Sequence, residues 1–365
     1  MFYSVIGIMS GSSLDGLDIA FVQLEESGKK WSYEIKAARC LPFGNEWRTR
    51  LQHATTLSAY DYFLLHTAFG RYIGEQVNTF INDFDLHHKV QLIASHGHTT
   101  FHSPENKMTA QLGDGAAIAA TTEINVVSDL RALDVAFGGQ GAPIVPIGEQ
   151  FLFPEYAYFL NLGGIANLSI NHSGSYFAFD VCPANRVLNM LAEKEGKEFD
   201  ENGSIARTGK VYTPLLTQLN SLPYYSLPFP KSLANNFGTD KVFPLVNATD
   251  ISTADQLRTY CEHIVMQITY AIQKDGVSKQ EENKKLLVTG GGAFNAFIIE
   301  RLKESLQTFN IEVVIPDALI VDFKEALIMS FIGILRWREE YNVLQSVTGA
   351  IRSSIGGAVW IGQEA

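Results

Sequence analysis

The chain has 365 residues, 46% hydrophobic and 18% charged, with 30 glycines and a formal net charge of −11. That length exceeds one ordinary core and predicts two domains. The acidic balance argues against nucleic acid or an anionic membrane as partner, yet backbone N–H groups and Mg²⁺ can still hold an anionic nucleotide locally.

Three widely spaced cysteines, Cys40, Cys182 and Cys261, give neither a disulfide framework nor a metal spacing, and suit a reducing cytoplasm. No basic stretch leads into a long apolar core at the start, so no secretion signal is expected. The apolar run Ala326 to Trp337 is too short to span a bilayer and reads as a buried helix.

The first element is a hairpin. Val5 and Ile6 lead into Gly7–Asp18, and Leu17, Ile19, Ala20, Phe21 and Val22 lead out, so both flanks read as strands covered on two faces. The stretch between them is turn chemistry: Gly11, Ser12, Ser13, Leu14, Asp15 and Gly16. Such a tip either cradles phosphate oxygens or is a plain tight turn. Asp15 and Asp18 suit a Mg²⁺ shell completed by water.

Trp31 to Ala38 reads as a third strand and Leu57 to Phe84 as a long helix. Gln91 to Ser95 is a short buried strand ending in Ser95-His96-Gly97-His98-Thr99-Thr100-Phe101-His102. Asp114 is placed to N-cap a helix through Ala120. Asn125 to Ser128 is a buried strand leading to Asp129-Leu130-Arg131 and a glycine loop over 137–143. Ends of strands in open α/β sheets are where ligands bind.

The pattern restarts near residue 155. Tyr158 to Leu162, Ile165 to Ile170 and Tyr176 to Phe179 read as strands, with Gly163-Gly164 as the first turn and Asp180 ending the third strand. A helix over Asn185–Glu195 follows. Ser221 to Lys231, rich in proline, is an ordered or semi-rigid loop. Ser252 and Asp255 start a helix, and Gln273 to Lys285 is a charged connection. Leu286 to Thr289 is a strand followed by Gly290-Gly291-Gly292 and a helix from Ala293. Ile311 to Ile315 is the last strand and Lys324 to Tyr341 the last long helix.

Asp180 is the residue best placed for a catalytic base, the alternative being an N-cap for the helix near Asn185. Gly290-Gly291-Gly292 either receives a nucleotide at a helix N-terminus or is a packing turn. His96, His98 and His102 are crowded, but no Asp, Glu or Cys completes a metal set, so hydrogen bonding to a substrate or the core is expected. Arg131 either binds a carboxylate or pairs with Asp129 or Asp134.

Met9-Ser10-Gly11-Ser12-Ser13-Leu14-Asp15-Gly16-Leu17-Asp18 resembles the N-terminal signature of the anhydro-N-acetylmuramic acid kinases, with Ser12 where Thr is usual. Ser95, His96, Gly97, Thr99 and His102 follow the family's Ser-His-Gly-x-Thr pattern. The region from Gln111 through Pro146, Pro230-Lys231-Ser232, Glu325-Ala326 and Ser346–Ala350 also match. Asp180, Pro183 and Asn185 match an Asp-Thr-Gly-Pro-Gly-Asn element, whereas Val181, Cys182 and Ala184 depart from it.

The resemblance implies an α/β fold of two domains, of the actin/hexokinase (ribonuclease H-like) class with ATP in an interdomain cleft. Residues 1–155, completed by about 321–365, would form one domain and 156–320 the other. Asp180 would be the base. Gly11–Asp18, Gly163-Gly164 and Gly290–Gly292 would bind ATP with Mg²⁺, while His96, Asp114, Arg131, Asn185 and Glu325 would serve the sugar. Arg131 is the natural partner of a muramic lactyl carboxylate. The implied reaction opens 1,6-anhydro-N-acetylmuramic acid with water and phosphorylates O6, in the cytoplasm and as a homodimer. Two alternatives stand beside it: a kinase of the same fold acting on another sugar, and a non-enzymatic ATP-binding module.

Overall fold

The computed structural model describes residues 1–11, 14–172, 175–228, 231–234, 236–274 and 284–362. Ser12, Ser13, Pro230 and most of the charged connection after Gln273 lie outside the described residues. The chain divides into two compact units, residues 1–154 with 323–365, and residues 155–322.

In chain order the first unit holds β1 (Phe2–Ser10), β2 (Gly16–Ser27), β3 (Lys30–Pro42), α1 (Asn45–Gln52), α2 (Ala59–Asp83), β4 (Leu92–Ser103), β5 (Met108–Leu112), α3 (Gly115–Thr122), β6 (Val126–Ser128), α4 (Ala132–Ala136) and α5 (Pro146–Leu152). The second holds β7 (Tyr158–Leu162), β8 (Ile165–His172), β9 (Ser175–Pro183), α6 (Asn185–Ala192), α7 (Ser204–Thr208), α8 (Thr213–Asn220), α9 (Pro223–Ser226), α10 (Phe243–Asn247), α11 (Thr253–Gln273), β10 (Lys284–Thr289), α12 (Ala296–Gln307) and β11 (Ile311–Val314). Helix α13 (Ala318–Trp337) then carries the chain back to the first unit, which α14 (Gln345–Thr348) and β12 (Ala358–Trp360) complete.

Each unit is built on the same sheet. The first orders its strands β12-β6-β4-β1-β2-β3, with β5 paired to β4; the second orders them β11-β10-β7-β8-β9. In both, the first three strands form an antiparallel meander, and the next strands lie parallel to the first. That is the ribonuclease H-like sheet, present twice, as expected for the actin/hexokinase class.

Burial explains the apolar runs read from the sequence. Val5, Ile6 and Ile8 on β1 and Leu17, Ile19 and Val22 on β2 are fully buried. Helix α13 covers one face of this sheet. Gly7 permits its approach, because a Cβ there would overlap the Ala326 carbonyl oxygen. In the second unit, α6, α11 and α12 contribute Leu188, Ile264 and Leu302 to a core built on β7, β8 and β10. No helix among the described residues is long and apolar enough to cross a membrane.

Several element boundaries differ from the sequence expectation. Strand β4 does not stop at Ser95; it runs to Ser103 as a hairpin with β5, pairing His98 with Leu112 and His102 with Thr109. Gly97 hides this continuation by breaking the apolar alternation, at a φ of 72°. Strand β9 passes beyond Asp180 to Pro183. Helix α13 begins six residues before Lys324 and ends at Trp337. The helix expected at Ala293 starts at Ala296, capped by Asn295, whose side chain accepts from Ile298 N at 3.1 Å.

Candidate active site

Asp180 stands opposite Asn167 in the β8–β9 ladder, where the register shifts between Ala166 and Asn167. The shift places Val181 as an extra residue on β9, a bulge that re-aims the side chains around it. Val181 and Cys182 are consequently both buried, while Asp180 stays partly exposed. Asp180 does not cap α6: the residue before that helix is Ala184, which makes no side-chain cap.

The carboxylate is held from two sides. Its Oδ1 accepts from Asn167 Nδ2, and its Oδ2 accepts from the backbone N–H of Leu233 at 2.7 Å. The backbone of Asp180 is fixed as well: its N–H donates to the Lys231 carbonyl at 3.0 Å, and its carbonyl accepts from the Tyr224 hydroxyl at 2.6 Å. Burial pushes the Asp180 carboxyl up, and the hydrogen bonds from Leu233 and Asn167 oppose that rise. An ionised carboxylate has acceptor capacity for about four hydrogen bonds, so two donors leave room for a water. Position, exposure and basicity all suit a proton acceptor.

The departures from the resembled motif turn away from this surface. Cys182 is 0% exposed and Ala184 1% exposed, both within the core of the second unit. Side chains replacing glycine there fill the interior.

The glycine turns of this unit sort into two kinds. Gly290 has a φ of 81°, and a Cβ on it would overlap Asn161 Oδ1; a Cβ on Gly292 would come within 2.7 Å of Leu162 Cβ. Packing therefore accounts for both. A Cβ on Gly163, Gly164 or Gly291 would meet nothing closer than 3.5 Å. Those three are not required by the chain's own packing, and bare backbone there admits a ligand closely. Asn185 ties the turns together, donating from Nδ2 to Leu162 O at 2.8 Å and from its backbone to Gly163 O at 3.0 Å.

In the first unit, polar residues gather at the carboxyl ends of the parallel strands β1, β4 and β6. Leu14, at a φ of 60°, anchors the β1–β2 turn by burying its side chain, and leaves Asp15 exposed. His98 holds the same turn: its ring is hydrogen-bonded to the Gly11 backbone and its Nδ1 lies 3.3 Å from Ser10 Oγ. The sequence reading missed this role, which the length of β4 creates.

Arg131 forms no ion pair with Asp129 or Asp134 among the described residues. Its Nε donates to His96 Nε2 at 2.7 Å and its Nη1 to Gly141 O at 2.9 Å. His96 is buried, and its Nδ1 lies 2.8 Å from the Gly97 carbonyl. Burial, with the Arg131 charge adding to it, lowers His96 to about 3, so the ring is neutral: Nδ1–H donates and Nε2 accepts. Both ring nitrogens of His96 are spent on the protein, so the residue serves a ligand only by aiming Arg131. Asp134 is occupied elsewhere, accepting from Thr348 Oγ1 and from Gly141 N, each at 2.8 Å.

Glu325 sits on α13 beside the buried pair of Lys324 Nζ and Glu149 Oε1, 3.0 Å apart. Burial raises the Glu325 carboxyl; Lys324 and Arg131 oppose the rise, while Asp18 and Glu149 add to it. Asp18 and Arg131 are thus each within electrostatic reach of Glu325. Asp114 caps α3, its Oδ1 accepting from Ala116 N at 3.0 Å. Among the described residues no three His, Cys, Asp or Glu side chains form a metal-binding group.

A ribonuclease H-like sheet repeated in two units, with glycine turns and polar residues at the carboxyl ends of its strands, defines a fold of the actin/hexokinase class. A family model described as anhydro-N-acetylmuramic acid kinase matches residues 3–362. Proteins named anhydro-N-acetylmuramic acid kinase are similar throughout. That of Sulfurovum sp. is 33% identical over 98% of both chains, and that of Hydrogenovibrio crunogenus 32% over 97% of both. The Idiomarina loihiensis protein is 32% identical over 98% of this chain and 99% of its own. The chain belongs to the anhydro-N-acetylmuramic acid kinase family and is a sugar kinase.

Proposed function

We propose that the chain converts 1,6-anhydro-N-acetylmuramic acid, ATP and water to N-acetylmuramic acid 6-phosphate and ADP, with Asp180 as the base. An anhydro sugar has no free 6-hydroxyl. Asp180 takes a proton from water, the water oxygen bonds to C1, and the C1–O6 bond breaks. O6 bonds to the γ-phosphorus as ADP leaves. The observation that carries this reading is the doubly held, partly exposed Asp180 carboxylate with its raised pKa.

Gly163, Gly164 and Gly291 give the nucleotide bare backbone, and the Gly11–Asp18 turn presents N–H groups to phosphate oxygens. Mg²⁺ bound with nucleotide needs only one or two carboxylates, the rest of its shell being water and phosphate. Asp15 and Asp18 are the residues that would hold it, and the ion would offset charge on the phosphates. Arg131, aimed by His96, binds the lactyl carboxylate through the N–H groups it does not spend on His96 and Gly141. Asp114 and Glu325 of the first unit and Asn185 of the second are the further polar residues assigned to the sugar. The chain acts in the cytoplasm, in cell-wall sugar recycling, as a homodimer.

A panel of anhydro and reducing amino sugars, each incubated with ATP and read by product mass, tests the proposal. The anhydro sugar is expected to gain one phosphoryl group and one water, with ¹⁸O from labelled water at C1. Phosphorylation of reducing sugars alone would refute it.

A further inference from the structure

The start of α2 leaves a run of large apolar side chains uncovered: Leu57 is 40% exposed, Tyr60 74%, Phe63 66% and Leu64 53%. Asp61, Leu64, Ala68, Arg71 and Glu75 follow one another at alternating steps of three and four, so they form a single stripe along the helix. This stripe is opposite the one that α2 buries, which carries Leu65, Phe69, Ile73, Val77 and Phe80. Helix α1 supplies the far wall, with Arg50 and His53, and the two helices enclose an open groove of about 780 Å³.

We propose that this face docks a second copy of the chain, α2 against α2 in antiparallel fashion, about a two-fold axis passing near residue 66. The proposal rests on the homodimer reading and supplies its surface. What singles out a second copy is that the stripe complements itself. Antiparallel pairing about residue 66 sets Leu64 against Ala68 of the partner subunit, large against small. It sets Asp61 against the partner's Arg71. It brings Glu75 to the end of the groove lined by the partner's Arg50 and His53. Arg71 and Glu75 make no ion pair with any described residue of their own chain. An unrelated partner would have no need of this internal symmetry, in which Asp61 meets Arg71 and Leu64 meets Ala68 when the helix is reversed upon itself.

Sedimentation equilibrium of the full chain over a concentration series tests it. The wild type is expected to be a reversible dimer. Leu64→Glu and Asp61→Arg are each expected to weaken dimerisation by roughly tenfold or more. Leu64 and Asp61 are exposed, so the monomer fold should survive both changes as read by circular dichroism; Asp61 also accepts from Ser58 Oγ at 2.6 Å at the start of α2, so Asp61→Arg is expected to lower the thermal midpoint as well. The double reversal Asp61→Arg with Arg71→Asp is expected to restore the dimer, because each swapped charge again meets its opposite. A wild type that stays monomeric throughout would overturn both this face and the homodimer reading. Dimers of unchanged affinity in both single variants would overturn the face alone. Failure of the double reversal to restore a dimer lost in Asp61→Arg would overturn the antiparallel pairing.

Discussion

The backbone N–H of Leu233 donates to Oδ2 of Asp180 at 2.7 Å, so a residue 53 positions further along the chain sets the orientation of the carboxylate. Asn167 holds the other oxygen. Both donors favour the ionised form and restrain a pKa that burial raises. Replacing Asn167 with Ala removes one of them, so the Asp180 pKa should move further up. A base works only when ionised, so the acid limb of kcat/KM should shift to higher pH in Asn167→Ala. On the acid side, activity should fall by roughly tenfold, the value of one hydrogen bond to a charged group. A pH–rate profile superimposable on the wild type would show that Asn167 does not tune Asp180.

Arg131 should govern the affinity for the acidic sugar. Arg131→Ala is expected to raise KM for the anhydro sugar by about 10–100-fold, with little change in KM for ATP. Replacing His96 with Phe should have a smaller effect of the same kind, since it leaves the guanidinium in place without its guide. Steady-state kinetics with each substrate varied in turn checks both. An equal rise in the two KM values would contradict a role confined to the sugar carboxylate.

The glycines of the 290–292 turn should separate by substitution. Gly290→Ala places a Cβ at positive φ and against Asn161, and is expected to destabilise the second unit by about 1–3 kcal/mol. Gly291→Ala meets open space, and stability should remain within about 0.5 kcal/mol of wild type. Nucleotide affinity in Gly291→Ala should nevertheless drop, measurable by calorimetric titration. Unchanged affinity would free Gly291 from the nucleotide site.

His263 couples the second unit's stability to pH. It is fully buried, with Nδ1 2.6 Å from Asn220 Oδ1 and Nε2 3.0 Å from the Tyr225 hydroxyl. Burial lowers it from 6.5 to about 3, so between those values the unfolded chain binds a proton that the folded chain refuses. The stabilisation is complete above the unfolded value and is lost as pH falls toward 3. Its full size is on the order of a few kcal/mol. The stability gap between wild type and His263→Gln, from denaturant unfolding, should therefore narrow from neutral pH to about pH 4. A gap independent of pH would contradict the account.

Much of this fold was legible in local pattern. Continuous apolar runs marked β1, β2, β7 and β10 because strands covered on both faces need apolar side chains throughout. Ser252 marked the start of α11 and accepts from the N–H three residues on, whereas α2, expected from Leu57, begins at Ala59 behind the cap supplied by Ser58. Features set by tertiary contacts were hidden. The bulge at Val181 depends on the register of β8, and nothing in the alternation of β9 signals it. Asn167 and His98 acquire their roles only through pairing with distant residues. His96, expected to hydrogen-bond to a substrate or to the core, accepts from Arg131, a partner that local sequence cannot foretell. Tyr224 reaches Asp180 from α9, in a stretch readable only as proline-rich, and Leu233, just beyond that stretch, does so through its backbone, which carries no side-chain signature.

The central claim is that the Asp180 carboxylate removes a proton from the attacking water. Asp180→Asn preserves the shape of the side chain and removes the negative charge. Turnover of 1,6-anhydro-N-acetylmuramic acid by the purified variant, measured alongside ATP binding, is the direct test. The account predicts turnover reduced by about 10³-fold or more, with ATP affinity near that of wild type. Turnover near the wild-type rate would contradict it.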